Sequence, residues 1–246
     1  MDRLKHRGRW WAAGLVVLAL AVAGTMSAAA GTPRTACGRA LVPAYGGADT
    51  IAALAEQHGR GSILILNPQN GPGAARDPAY AAAVAAARRA GWRVIGYVAT
   101  GYGTQPAAAV EAAAHEYAAW YGVDGIFLDE AAHDAAQLPY YRALRAAVPG
   151  LLVLNPGVVP DPGYAAVADL IVTYEGALDG APAPAAGPHE ARLVYAADEP
   201  GALAYVRSQP GGHLYVTAGA LPDPWSALPA YLSAELAALS SCGAHP

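Results

Sequence analysis

From residue 40 onward the chain repeats one pattern: a short β-branched apolar run, a turn, then an alanine-rich helical run. Strand-like runs fall at 40–45, 62–67, 93–100, 125–130, 151–155, 170–175, 192–198 and 213–219. Helical periodicity occupies 49–58, 78–90, 107–121, 135–148, 162–168, 201–208 and 226–240. Near-continuous apolar strands such as Ile63-Leu64-Ile65-Leu66 suit a parallel sheet covered by helices on its outer side. Eight such strands predict an α/β fold, a single compact (β/α)8 TIM barrel. A doubly wound open sheet is the alternative; the phosphate loop it calls for has only a weak counterpart in Tyr45-Gly46-Gly47-Ala48. Residues 176–191 break the pattern, because Pro182, Pro184 and Pro188 make them a loop with room for one short helical turn.

A barrel enzyme collects its reactive groups at the C-terminal ends of its strands. The predicted strands end on Tyr45, Asn67, Thr100, Asp129-Glu130, Asn155, Glu175 and Asp198, whereas their starts are mostly apolar or arginine. The sharpest signal is Gly125-Ile126-Phe127-Leu128-Asp129-Glu130, an apolar strand delivering two carboxylates to the rim. Because successive strand residues point to opposite sides, Asp129 and Glu130 are expected to have different roles. A second strand brings Glu175 to the same rim. Glycosidic cleavage needs two carboxyl groups flanking the bond, one to protonate the leaving oxygen and one to attack or to activate water. The bland reading of these acids is a helix cap for Asp129-Glu130 and a solvated strand end for Glu175.

Asn67-Pro68-Gln69-Asn70-Gly71-Pro72-Gly73 is a rigid turn whose Asn67 and Asn70 amides suit sugar hydroxyls, and Asn155-Pro156-Gly157 repeats the theme. Tyr45, Tyr97 and Tyr102 offer aromatic faces for pyranose rings, although core packing would explain any one of them. Thr100 and Asp198 join the candidate substrate-binding set through their rim positions. His133 follows the carboxylate pair and reads as an exposed helix position, and the remaining histidines show no metal-ligand spacing. Asp124, before the fourth strand, is expected at the opposite, stabilising face. No Gly-x-Ser-x-Gly elbow or Walker loop is present, which counts against serine hydrolases and nucleotide enzymes.

The first thirty residues have the order of an export signal: a basic start, an apolar stretch over 10–23, and Ala28-Ala29-Ala30 as a cleavage site. Cleavage is expected, with retention as an N-terminal anchor the alternative. The remaining domain is 31–246, and the location is secreted or cell surface. Losing 1–30 removes four cationic residues and one anionic one, taking the net charge from −4 to −7. It also removes Lys5, the only lysine, so the surface left behind is a poor nucleic-acid binder. Cys37 and Cys242 read as a disulfide in an exported chain, two buried thiols being the alternative. Nothing points to a metal, an organic cofactor or an obligate protein partner, and a monomer acting on a polysaccharide is expected.

Three motifs in order resemble the spherulin 4 family. They are the Asn67–Gly73 turn, then Gly96-Tyr97-Val98-Ala99-Thr100-Gly101-Tyr102-Gly103, then Tyr117-Ala118-Ala119-Trp120-Tyr121-Gly122-Val123-Asp124 running into Gly125–Glu130. The resemblance spans roughly 41–240. It implies a TIM barrel in or near glycoside hydrolase family 135, whose characterised fungal members are endo-α-1,4-galactosaminidases acting on galactosaminogalactan. It further implies Asp129 as nucleophile, Glu175 as acid/base, and Glu130 as a support for charge and substrate position. The chain departs from the family in its Pro/Ala-rich 176–190 segment and its short loops after the strands. A carbohydrate-binding or structural protein using the same rim without turnover is the reading from a different class.

Overall fold

The computed structural model describes residues 37–183, 187–209 and 211–241. The expected export signal and Cys242 lie outside them. Among the described residues there are eight strands: β1 (Arg39–Ala44), β2 (Ile63–Leu66), β3 (Arg93–Ala99), β4 (Gly125–Asp129), β5 (Leu151–Leu154), β6 (Leu170–Ala177), β7 (Glu190–Tyr195) and β8 (His213–Val216). Each is parallel to the next, and β8 returns to β1 through Arg39↔His213 and Ala40↔Leu214. That closure makes the sheet a barrel and removes the open-sheet alternative.

Helices α1 (Ala48–Ala55), α2 (Pro78–Arg89), α3 (Ala107–Tyr121), α4 (Leu138–Ala147) and α5 (Glu199–Arg207) lie between strands, and α6 (Leu232–Ser240) follows β8. Two connections differ from expectation. Residues 162–168 form only a 3-10 stretch, Pro162–Ala166, since Pro160, Pro162 and Gly163 disfavour a longer helix. Helix α6 begins at Leu232, not near 226, because Pro222, Pro224 and Pro229 keep the segment after β8 extended as a loop. In the 176–191 segment, β6 runs on to Ala177 and one 3-10 turn follows at Leu178–Gly180. The buried Arg192 pins this loop by donating to Gln209 Oε1 (2.8 Å), the Tyr205 hydroxyl (3.1 Å) and Pro182 O (3.2 Å).

Strand residues Leu66, Leu128 and Leu154 are fully buried between sheet and helices, and Leu41, Ile65 and Ile95 are fully buried inside the barrel. Gly96 on β3 has a packing reason: a Cβ there would collide with the ring of Tyr117 on α3. Tyr117 in turn donates its hydroxyl to Leu66 O at the end of β2 (3.1 Å). Helix α3 stops at Gly122, whose left-handed backbone (φ 61°) accepts the turn that a side chain resists. Asp124 sits at the N-terminal face as expected, accepting from Val94 N (2.8 Å) and pairing with Arg88 (2.8 Å). Asp169 repeats the device before β6 with Leu152 N and Arg145, both at 2.8 Å. Cys37 lies against the end of α6, its Sγ 4.0 Å from Ser240 O.

Candidate active site

Strand register decides which rim residues face the barrel axis. Ala44, Leu66 and Gly96 are level with one another, so the next residues, Tyr45, Asn67 and Tyr97, share one level and one direction. Tyr97 is paired with Phe127, and the two rings stack at 6.3 Å inside the barrel. Two residues on, Asp129 faces the same way, and Asn155 lies beside it because Leu128 pairs with Leu154. Alternation alone would then bring Tyr174 of β6 inward. A bulge leaves Thr173 unpaired, Tyr174 pairs with Arg192, and Glu175 takes the inward place beside Gly157.

The result is a carboxylate pair held by one amide. Asn155 Nδ2 donates to Asp129 Oδ1 (2.7 Å) and to Glu175 Oε2 (2.5 Å). Its Oδ1 accepts from Gly157 N (3.1 Å), which fixes the nitrogen end of the amide toward the acids. Two bonds from one nitrogen hold those two oxygens no farther apart than the bonds laid end to end, about 5.2 Å. The other oxygen of Glu175 accepts from Trp225 Nε1 (3.2 Å).

Burial pushes the Glu175 carboxyl above its ordinary range. The Asn155 amide opposes that shift, the Asp129 charge adds to it, and the Trp225 N–H opposes it. Burial, then the nearby Asp129 carboxylate, likewise raises the phenols of Tyr45 and Tyr97 far above the ordinary tyrosine value. Tyr97 turns its hydroxyl to Asp129 and receives the Tyr45 ring edge-on at 5.6 Å.

Beside Glu175 a cleft of 560 Å³ opens between Tyr45, Asn67, Asn70, Tyr195 and the 221–226 loop. Asn67 accepts from Gly71 N at its side-chain Oδ1 (3.1 Å), which shapes the turn. Backbone strain gathers at this end of the barrel. Asn70, Tyr102, Glu130 and Ala196 all adopt positive φ (51°, 57°, 48° and 56°), which non-glycine residues avoid unless the fold over-determines it.

Two expected substrate-binding residues have other work. Thr100 is 0% exposed; its hydroxyl donates to the carbonyls of Asp129 (3.1 Å) and Glu130 (2.8 Å) and meets the Tyr141 hydroxyl (2.9 Å). It is a strut beneath the acids and cannot touch a ligand. Asp198 lies beyond β7, which ends at Tyr195, and caps α5 by accepting from Gly201 N (3.0 Å). Glu130 is past the strand end and exposed, its carbonyl tied to Tyr102 N (2.6 Å). Tyr102 is 61% exposed on the loop after β3, outside the cleft. His133 is exposed in a loop, not on a helix. Trp225 and Tyr195 are site residues that strand-end reasoning missed, since Trp225 lies nine residues beyond β8 in a stretch whose apolar residues mimic a helix.

The family model for Spherulin4, the spherulation-specific family 4, matches residues 48–239. The chain belongs to the spherulation-specific family 4. Spherulin-4 of Physarum polycephalum is 37% identical over 147 residues, which is 56% of this chain and 44% of that protein, so the chain spans less than half of this relative's length. Sph3 of Aspergillus clavatus, solved in complex with GalNAc, has a similar fold, with a TM-score of 0.68 and 21% identity over 83% of this chain and 98% of that one. In this spherulin 4 barrel each motif of the resemblance has a physical task. The Asn67–Gly73 turn walls the cleft, Gly96 admits Tyr117, Thr100 supports the acids, and β4 delivers Asp129.

Proposed function

We propose that the protein is an exported glycoside hydrolase that cleaves an amino-sugar-containing polysaccharide, as an endo-α-1,4-galactosaminidase does, with retention of anomeric configuration. The observation that carries this reading is the Asn155 amide shared between Asp129 and Glu175 at the barrel mouth. Retaining glycosidases place their carboxyl groups about 5–5.5 Å apart, whereas inverting ones leave about 6.5–9.5 Å for a water. Nearest oxygens held within about 5.2 Å of each other favour the first group. The order of residues 1–30 supports export, and the GalNAc bound by the similar barrel of Sph3 supports an amino sugar.

Asp129 attacks the anomeric carbon as the carbon–oxygen bond to the leaving sugar breaks, and Glu175 gives its proton to the departing oxygen. Glu175, now a carboxylate, takes a proton from water. That water attacks the same carbon and releases Asp129, and Glu175 is left protonated for the next cycle. Burial prepares Glu175 to hold a proton, while Asn155 and Tyr97 fix the position of Asp129. Glu130, exposed beside the pair, supports charge and substrate position.

The test is release of reducing ends from a panel of amino-sugar polymers, with Asp129→Asn and Glu175→Gln alongside. Proton NMR of the first product formed reports the anomer. Release abolished by both substitutions, with the anomer retained, is the expected result. Saturable binding without release would move the protein to a carbohydrate-binding class, and an inverted product would overturn the double displacement.

A further inference from the structure

On the far side of the Asn67–Gly73 turn lies a second depression, of 400 Å³, lined by Pro68, Gln69, Pro72, Arg76, Tyr80 and Tyr121 among others. It shares Pro68 and Gln69 with the cleft that holds Glu175, so only the crest of one turn divides them. A polymer leaving the acids past Tyr45 and Asn67 crosses Gln69 and enters it. The surface is rigid in advance of any ligand. Asp77 N donates to the Tyr121 hydroxyl (3.1 Å), Arg76 Nε to Trp120 O (3.0 Å), and the Asp77 side chain caps α2 through Ala79 N (2.7 Å). The first two bonds tie the 72–78 loop to the end of α3, and preorganisation of this kind lowers the entropic cost of binding.

The lining has two chemistries. Tyr80, Tyr121 and Pro72 make an apolar floor of the kind that receives the C–H face of a pyranose, and Gln69 and the exposed Arg76 put amide and guanidinium donors on the rim. We infer that this depression is a distal glycan subsite, taking sugar units of the same polymer several residues from the bond being cut. The inference rests on the hydrolase reading for its substrate and deepens it with a contact several sugar units from the bond being cut.

The experiment compares a tetramer and a dodecamer of α-1,4-linked N-acetylgalactosamine on the full chain and on Arg76→Ala and Tyr80→Ala. Neither substitution touches the acids, and melting curves check that both variants fold. The expected result is a KM for the dodecamer raised about five- to tenfold, the weight of one lost side-chain contact in a binding site, with kcat and the tetramer KM unchanged. Equal responses of the two oligomers, or no length preference in the parent protein, would overturn the subsite. Dodecamer affinity is measured in parallel on Glu175→Gln with and without Arg76→Ala. If the parent cuts nothing, the hydrolase reading fails, yet a loss of affinity on adding Arg76→Ala still supports the subsite and an unchanged affinity still refutes it.

Discussion

Replacing Trp225 by phenylalanine removes one N–H and keeps a ring against Tyr195 and Tyr215, whose centroids lie 6.1 and 6.0 Å from that of Trp225. Its effect on Glu175 is therefore electrostatic before it is steric. Burial raises the Glu175 pKa, and the Trp225 N–H is one of two donors that oppose the rise by stabilising the carboxylate. A hydrogen bond to a charged group contributes about 1.5–3 kcal/mol. At 3.2 Å this bond sits at the long end for N–H···O, so the lower figure applies. With about 1.36 kcal/mol for each pKa unit, losing the donor raises Glu175 by about one unit. Glu175 must be protonated to release the leaving sugar, so kcat/KM falls on the alkaline side as Glu175 ionises. In Trp225→Phe that alkaline limb moves to higher pH by about one unit while activity on the acid side persists. The assay is a pH profile of kcat/KM on a soluble oligosaccharide, with a melting curve to confirm the fold. A limb that stays in place or moves to lower pH would refute the pairing of Trp225 with Glu175, whatever happens to the rate.

Three further outcomes are expected. Asn155→Ala removes the donor common to both acids and lowers kcat about a hundredfold or more, since a misplaced catalytic group costs on that order; initial rates check it, and a loss under about tenfold would argue against the bridge. Thr100→Val keeps the shape but drops three hydrogen-bond contacts beneath the acids, lowering stability by about 1–3 kcal/mol in urea unfolding; an unchanged midpoint would remove the strut. Glu235 on α6 is 0% exposed, accepts from Val216 N (2.8 Å) and faces Tyr215 and Tyr231; burial pushes its carboxyl up to about 8. A folded pKa above the unfolded one contributes stability that is complete below the unfolded value of 4.5 and is lost as pH rises toward 8. Glu235→Gln should flatten that decline in melting temperature, and a parallel decline in both proteins would count against it.

The barrel was legible because closure leaves a one-dimensional trace: each strand buries both faces, so its apolar run stops where the chain reaches the mouth. Tyr45, Asn67, Asp129 and Asn155 could be read directly, since each stands immediately after or at the end of a strand and on the inward parity. Asp198 failed by the same rule, because the apolar Ala196-Ala197 prolongs the run beyond Tyr195 although Ala196 has already turned to φ 56°. Thr100 failed for a different reason: position along a strand says nothing of depth, and its hydroxyl is consumed by carbonyls that are distant in sequence.

Glu175 is the instructive case. Its place at a strand end was plain, but parity carried from Asp129 through Asn155 to Val172 assigns the next inward position to Tyr174. Only the unpaired Thr173 restores Glu175 to the axis, and an extra residue in a run of Leu170-Ile171-Val172-Thr173-Tyr174 leaves no mark in hydropathy. The candidate chemistry therefore depends on a backbone irregularity one residue long. Deleting Thr173 would keep the composition of the strand end, acids included, while turning Glu175 away from Asn155 and Asp129.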